Sequence, residues 1–184
     1  MIYPIVAYGD PVLKKVAQDI EKEKVDVIKL TEDMFETMEN ARGVGLAAPQ
    51  VGLNIRMFVI DTAVFEDEEI TPIRKAFFNP IIEEEWGDEW PYEEGCLSIP
   101  GVRADVYRPS NLRISYLDAD WNEHIEEFDG MVARVIQHEY DHIEGVLFVD
   151  HLSSIKKRLL KGKLTNISKG DCDASYRMKF PIKK

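Results

Sequence analysis

His138-Glu139-Tyr140-Asp141-His142 place two imidazoles one helical turn apart, with the Glu139 carboxylate beside the first. On an α-helix, positions i and i+4 share one face, so both rings can converge on a single metal ion. Glu139 cannot easily reach the same coordination site. It projects beside it, where a general base for a hydrolytic water would sit. The plainer reading is a surface helix carrying two solvated histidines. The flanking residues favour burial: Met131, Val132, Val135 and Ile136 recur at helical spacing, Asp129 or Gly130 can cap the start, and Gly145 supplies a stop. Buried imidazoles need partners, and one metal satisfies two of them.

A catalytic metal needs a third protein ligand and a fourth position left open. In the extended pattern H-E-x-x-H-x-x-G-x-x-H, Gly145 fits, but Phe148 stands where the third histidine belongs. His151 comes three residues too late, and His124 falls in an expected hairpin. Cys96, within Glu94-Gly95-Cys96-Leu97-Ser98-Ile99-Pro100-Gly101, is the other candidate. A thiolate beside two imidazoles suits zinc or ferrous iron. A lone cysteine in an apolar segment is otherwise a small buried hydrophobe. Two further readings stay open: an endopeptidase taking its third ligand downstream, and a binding protein whose closed metal site adds Cys172 or His151.

Three segments, Gly43–Gln50, Glu94–Ser98 and Gln137–His142 with Gly145, resemble in order and separation the three motifs of the peptide deformylases. The resemblance spans about residues 1–165. The first segment also reads as G-x-G-x-x-A, a dinucleotide fingerprint that must follow a strand and open a helix. Here a helix with Ile28, Thr31, Phe35, Met38 and Arg42 on one face precedes it, and a strand, Arg56–Asp61, follows. That reversed order excludes nucleotide binding. The resemblance implies a hydrolase that removes the formyl group from N-terminal formylmethionine of nascent peptides and releases formate. It implies Cys96, His138 and His142 as ligands, Glu139 as proton carrier, and Gln50 with the Leu97 N–H as donors to the formyl oxygen. Val44 and Met131 match the methionine pocket, Gly45 offers peptide backbone to the substrate, and Arg103 matches a cleft position. Arg134 stands at the pocket rim, where relatives commonly carry an apolar residue. Fe(2+) is the metal implied, with Zn(2+), Ni(2+) or Co(2+) able to replace it.

Length and composition agree. A chain of 184 residues with 45% apolar content supports one domain with a real core. Two cysteines make a disulfide framework unexpected and point to a reducing compartment, the cytoplasm. Met1–Val6 is too short for a signal peptide, Asp10-Pro11 breaks it, and no apolar run approaches membrane-spanning length. Ala76–Glu85 reads as a strand whose Pro80 requires an edge or a bulge. Leu112–Leu117 and His124–Phe128 read as a hairpin around Asp118–Asn122. Glu66–Glu69 reads as an acidic loop, the acids of Glu83–Glu89 as solvated, and Glu94 as an ion-pair partner for Arg108. The expected class is α+β, with antiparallel strands around a buried metal-binding helix and a C-terminal helix.

The extent of the resemblance implies a catalytic domain, residues 1–165, followed by a basic C-terminal extension, residues 166–184, and charge is also unevenly spread. Residues 151–184 hold ten Lys/Arg and two acids, a net of +8, which leaves −19 on residues 1–150. Leu152, Ile155, Leu159 and Leu160 form a helical stripe expected to dock on the body. The basic tail is either a solvated helix with a frayed end or an electrostatic contact to ribosomal RNA.

Overall fold

The computed structural model describes residues 1–65 and 70–181, so the expected acidic loop, residues 66–69, and the last residues, 182–184, lie outside the described residues. Alternating apolar residues build an antiparallel sheet of β2 (Gly45–Ala47), β3 (Met57–Asp61), β4 (Arg74–Cys96), β5 (Ile99–Leu117) and β6 (Glu123–Asp129), in that spatial order. The helices are α1 (Val27–Asn40), α2 (Gly130–Ile143) and α3 (Ser154–Ser168). A second sheet joins the two ends of the chain: β1 (Ile5–Val6) pairs in parallel with β7 (Met178–Lys179). The expected α+β class holds, with this parallel pair added to the antiparallel set.

Pro80 sits in β4 between β3 and β5, so it occupies a central strand. The register shifts between Phe78 and Ile81, and this bulge absorbs the missing donor. Arg56 Nη2 takes up the Pro80 carbonyl at 2.9 Å. Further shifts at Ile82/Glu84, Trp86/Glu89 and Gly95/Cys96 bend the long β4–β5 ribbon, the last beside Cys96.

Two helix faces differ from those expected. In α1 the buried stripe is Val27, Leu30, Met34, Thr37 and Met38, while Ile28 is 59% exposed. The expected stripe lay one position away, and Leu30 with Met34 bury more apolar surface than Thr31 with Phe35. Phe35 instead lies under the Arg74 guanidinium, 3.9 Å away. Of the stripe expected around α3, Leu152, just before the helix, and Leu160 dock as expected, but Ile155 and Leu159 face solvent, and Leu164 and Ile167 dock in their place. The Ser153 cap, accepting from Lys156 N, starts the helix at a phase that turns 155 and 159 outward.

α2 runs beneath the sheet with Ala133, Val135, Ile136 and Ile143 in a core shared with Phe58, Phe77 and Ile114. Asp129 occupies the N-cap position, without a side-chain hydrogen bond. Gly145 follows at φ +73°, and a Cβ there would lie 2.8 Å from the Lys14 backbone. Glycine is required there by both conformation and space.

Candidate metal centre

Three elements meet at the site. The end of β4 brings Glu94 and Cys96; α2 brings His138, Glu139 and His142; the 3-10 turn Ala48–Val51 after β2 brings Gln50. One ligand atom from each of Cys96, His138 and His142 lies within 4.8 Å of the others. Cys96 Sγ stands 3.4 Å from His142 Nε2. Tetrahedral bonds of about 2.3 Å to sulfur and about 2.1 Å to nitrogen would set those atoms roughly 3.6 Å apart, so the donors fit a metal ion. Among the described residues no fourth side chain joins this group. His151 is engaged with Asp141 Oδ2 at 2.8 Å, and the Phe148 ring packs on His138.

The surroundings orient the donors. Glu94 Oε2 lies 2.9 Å from His138 Nδ1, which directs the other ring nitrogen toward the cation position. Arg108 grips Glu94 through Nε at 2.7 Å and Nη2 at 3.1 Å, as expected for that pair, and its Nη1 reaches Asp141 at 2.8 Å. Burial opposes ionisation of Glu94, but His138 and Arg108 hold its carboxyl well below the ordinary range. Burial also pulls His138 down, yet Cys96 and Glu94 raise it well above an ordinary imidazole. That surplus of negative charge is what a cation neutralises. Burial, then the charge on His138, lowers His142 to about 3, so its ring is neutral and can bind metal.

Glu139 is 4% exposed, and its Oε2 has no hydrogen-bond partner among the described residues. Burial pushes its carboxyl up to about 7. A carboxyl so placed can take up and release a proton near neutrality. Gly45 makes room for it: a Cβ on Gly45 would lie 2.5 Å from Glu139 Oε1. Gln50 is held through Oε1, which accepts from Ala47 N at 2.9 Å. Its Nε2 therefore points toward Cys96 Sγ and Ser98 Oγ, each 3.4 Å away.

A cavity of about 420 Å³ opens onto these groups. Gln50, Cys96, Leu97, His138 and Glu139 line it, and so do Val44, Gly45, Arg103, Met131 and Arg134. His142 lies behind, 1% exposed. Arg103 is exposed at the rim. Arg134 is almost wholly buried: Nη1 donates to Glu94 Oε1 at 2.8 Å and to Val106 O at 3.0 Å, and Nη2 to Trp90 O at 2.6 Å. Its guanidinium lies over the Trp90 ring at 4.2 Å. Arg134 thus joins the Glu94 network and also lines the cavity.

Sequence reasoning missed Val135 and residues 173–176, which also line the cavity. Val135 lies three residues before His138, so helical spacing carried its signal. Residues 173–176 carried none.

The family model for polypeptide deformylase matches residues 2–158. The chain belongs to the peptide deformylase family. A peptide deformylase of Cytophaga hutchinsonii is 87% identical over 184 residues, covering 100% of both chains. The peptide deformylase structure from Thermus thermophilus is 38% identical with a TM-score of 0.81, covering 90% of this chain and 97% of that one. One from Synechococcus elongatus, in complex with actinonin, is 40% identical with a TM-score of 0.78, covering 88% and 87%. In a peptide deformylase the Cys–His–His group is the place for a single metal ion, and the likeness reaches the α+β fold as a whole.

Proposed function

We propose that the chain removes the formyl group from N-terminal formylmethionine of newly made polypeptides, with Cys96, His138 and His142 holding one divalent ion. One observation carries this reading: three soft-to-borderline donors converge, Cys96 and His138 lining a cavity and His142 just behind them, beside a buried carboxylate and a fixed amide. The ion is Fe(2+) in the cell, with Zn(2+), Ni(2+) or Co(2+) compatible with the same donors; when bound it supplies Lewis acidity that lowers the pKa of water and polarises a carbonyl.

The protein groups do the rest. Glu139 takes a proton from the attacking water, whose oxygen bonds to the formyl carbon. As the C–N bond breaks, Glu139 returns a proton to the departing amine, and formate leaves. Gln50 Nε2 and the Leu97 N–H meet the charge that grows on the formyl oxygen; one such donor contributes on the order of 3 kcal/mol to lowering the barrier. Val44 and Met131 enclose the methionine side chain, with the Arg134 stem at its rim. Gly45 presents backbone to the extended peptide, and Arg103 borders the path of the later substrate residues.

Residues 1–165 carry this machinery, and residues 166–184 form the basic extension. Lys156, Lys157, Arg158 and Lys161 on α3 are exposed, as are Ile155 and Leu159 between them. That mixed face suits ribosomal RNA and would hold the enzyme near emerging chains. Both cysteines are unpaired, and no helix among the described residues is long and apolar enough to cross a membrane. We place the enzyme in the cytoplasm, where its substrates are made.

The test is an anaerobic preparation assayed for metal by elemental analysis and for formate from a formyl-methionyl tripeptide. Glu139→Ala should keep the metal and lose formate release. Cys96→Ala should lose both; full metal retention there would favour an endopeptidase with a downstream ligand.

A further inference from the structure

The family match ends at residue 158, yet the chain beyond α3 returns to the metal centre. From Asp171 to Phe180 exposed and half-buried residues alternate. Cys172, Met178 and Phe180 pack against the core around Val6, Leu147 and Phe148, whereas Tyr176 packs against the core around α1. Backbone bonds fasten the segment: Ile5 N donates to Arg177 O at 2.9 Å, and Ala7 N to Lys179 O at 2.8 Å. Between these anchors, Asp173, Ala174, Ser175 and Tyr176 line the substrate cavity.

Tyr176 Oη donates to the Leu97 carbonyl at 2.7 Å. Tyr8 N donates to the next carbonyl, Ser98 O, at 2.8 Å. The loop that carries the Leu97 N–H is therefore pinned by both ends of the chain, which are themselves joined as β1 and β7. The β4–β5 register shift between Gly95 and Cys96 leaves this loop irregular, so outside bonds must fix its peptide planes.

We infer that residues 173–176 are the outer wall of the substrate cleft, and that Tyr176 is a positioning residue: by holding the Leu97–Ser98 peptide it fixes the backbone torsions of Leu97 and so the aim of the Leu97 N–H, on the preceding peptide, at the formyl oxygen. Part of the basic extension thereby belongs to the catalytic site and selects among formyl-peptides by the residues next to the methionine. This rests on the deformylase reading above.

Two variants test it, assayed as metal-loaded full-length enzyme with formyl-methionine amide and a formyl-methionyl hexapeptide. Tyr176→Phe keeps the packed ring and removes one hydrogen bond. It should lower kcat roughly tenfold on both substrates with KM and metal content unchanged, the scale of losing an outer-layer partner. Ser175→Trp should raise KM for the hexapeptide severalfold more than KM for the amide. A melting-temperature loss with kcat unchanged in Tyr176→Phe makes the tyrosine merely structural and overturns its positioning role. An unchanged KM ratio between long and short substrates in Ser175→Trp overturns the wall. Glu139→Gln runs alongside: if it stays active, the deformylase reading itself fails, whatever the other two do.

Discussion

α2 and α3 are nearly equal in length, 14 and 15 residues, and treat charge in opposite ways. α2 buries Arg134, Gln137, Glu139 and His142; α3 buries only Leu164, Ile167 and Ser168. A buried charge must find fixed partners, and the partners then determine what it does. Arg134 is locked to Glu94, and Glu139, stripped of water, titrates near 7. On α3 the lysines stay hydrated, and their reach is cut by salt within about 10 Å. One helix is a set of reagents, and the other is a diffuse field.

The largest effect belongs to the most isolated buried acid. Glu139→Gln preserves volume and removes the proposed proton carrier, so kcat should fall by about 10²–10⁴ with the metal retained. Formate release and elemental analysis on the same sample decide it. Gly45→Ala strikes the same carboxylate from the other side. Its Cβ would meet Glu139 Oε1 at 2.5 Å, so the carboxylate must move, and roughly hundredfold of the rate should go with it. A Gly45→Ala enzyme with normal kcat would show that the position of Glu139 is not critical.

Next comes the partner of the partner. Glu94→Gln leaves Arg134 and part of Arg108 buried without their carboxylate and weakens the hold on His138. Metal affinity should fall about 10–100-fold, measured by chelator competition, and stability by several kcal/mol, roughly 3–5 for a broken buried pair. A surface carboxylate gives the contrast. The His124 hydrogen bond leads in holding the Asp118 carboxyl down to about 2, from an ordinary 3.8. A lowered folded value means a contribution fully present above 3.8 and lost as pH falls through about 2. Both side chains are about a third exposed, so the pair is worth at most about 1 kcal/mol. Denaturation midpoints of Asp118→Asn and the parent should differ slightly near pH 6 and converge in strong acid.

These contrasts also mark what could be read before the structure. The histidine pair and Glu139 were legible because one helical turn joins them. Cys96, 46 residues from His142, came from eliminating nearer ligands and from the motif set. The bonds that orient the donors were mostly not legible. Glu94 to His138 spans 44 residues, Arg134 to Glu94 spans 40, and Tyr176 to Leu97 spans 79. No local spacing rule covers such distances; strand register sets them. The α1 and α3 faces were only partly legible, Met38, Leu152 and Leu160 docking as expected while Ile28, Ile155 and Leu159 do not: each helix carries two apolar stripes, and tertiary packing chose between them.

The smallest expected effect on catalysis is on α3, and it sharpens the contrast most. Replacing Lys156, Lys157 and Lys161 together by Glu changes six charges on a face that touches nothing in the cleft. With a formyl-methionyl tripeptide, kcat/KM should stay within about twofold, because the charges are exposed and screened. On the proposed contact with ribosomal RNA, binding to ribosomes should weaken, and its dependence on salt should flatten by about 0.7–0.9 per lost phosphate contact on a log–log plot. Ile155→Ala with Leu159→Ala should weaken binding without changing that slope, since those side chains, 73% and 79% exposed, carry no charge. If the triple reversal instead lowers the rate on the short peptide, α3 acts on the cleft through its Lys163 contact with the Gly101 carbonyl, and the division between reagents and field fails.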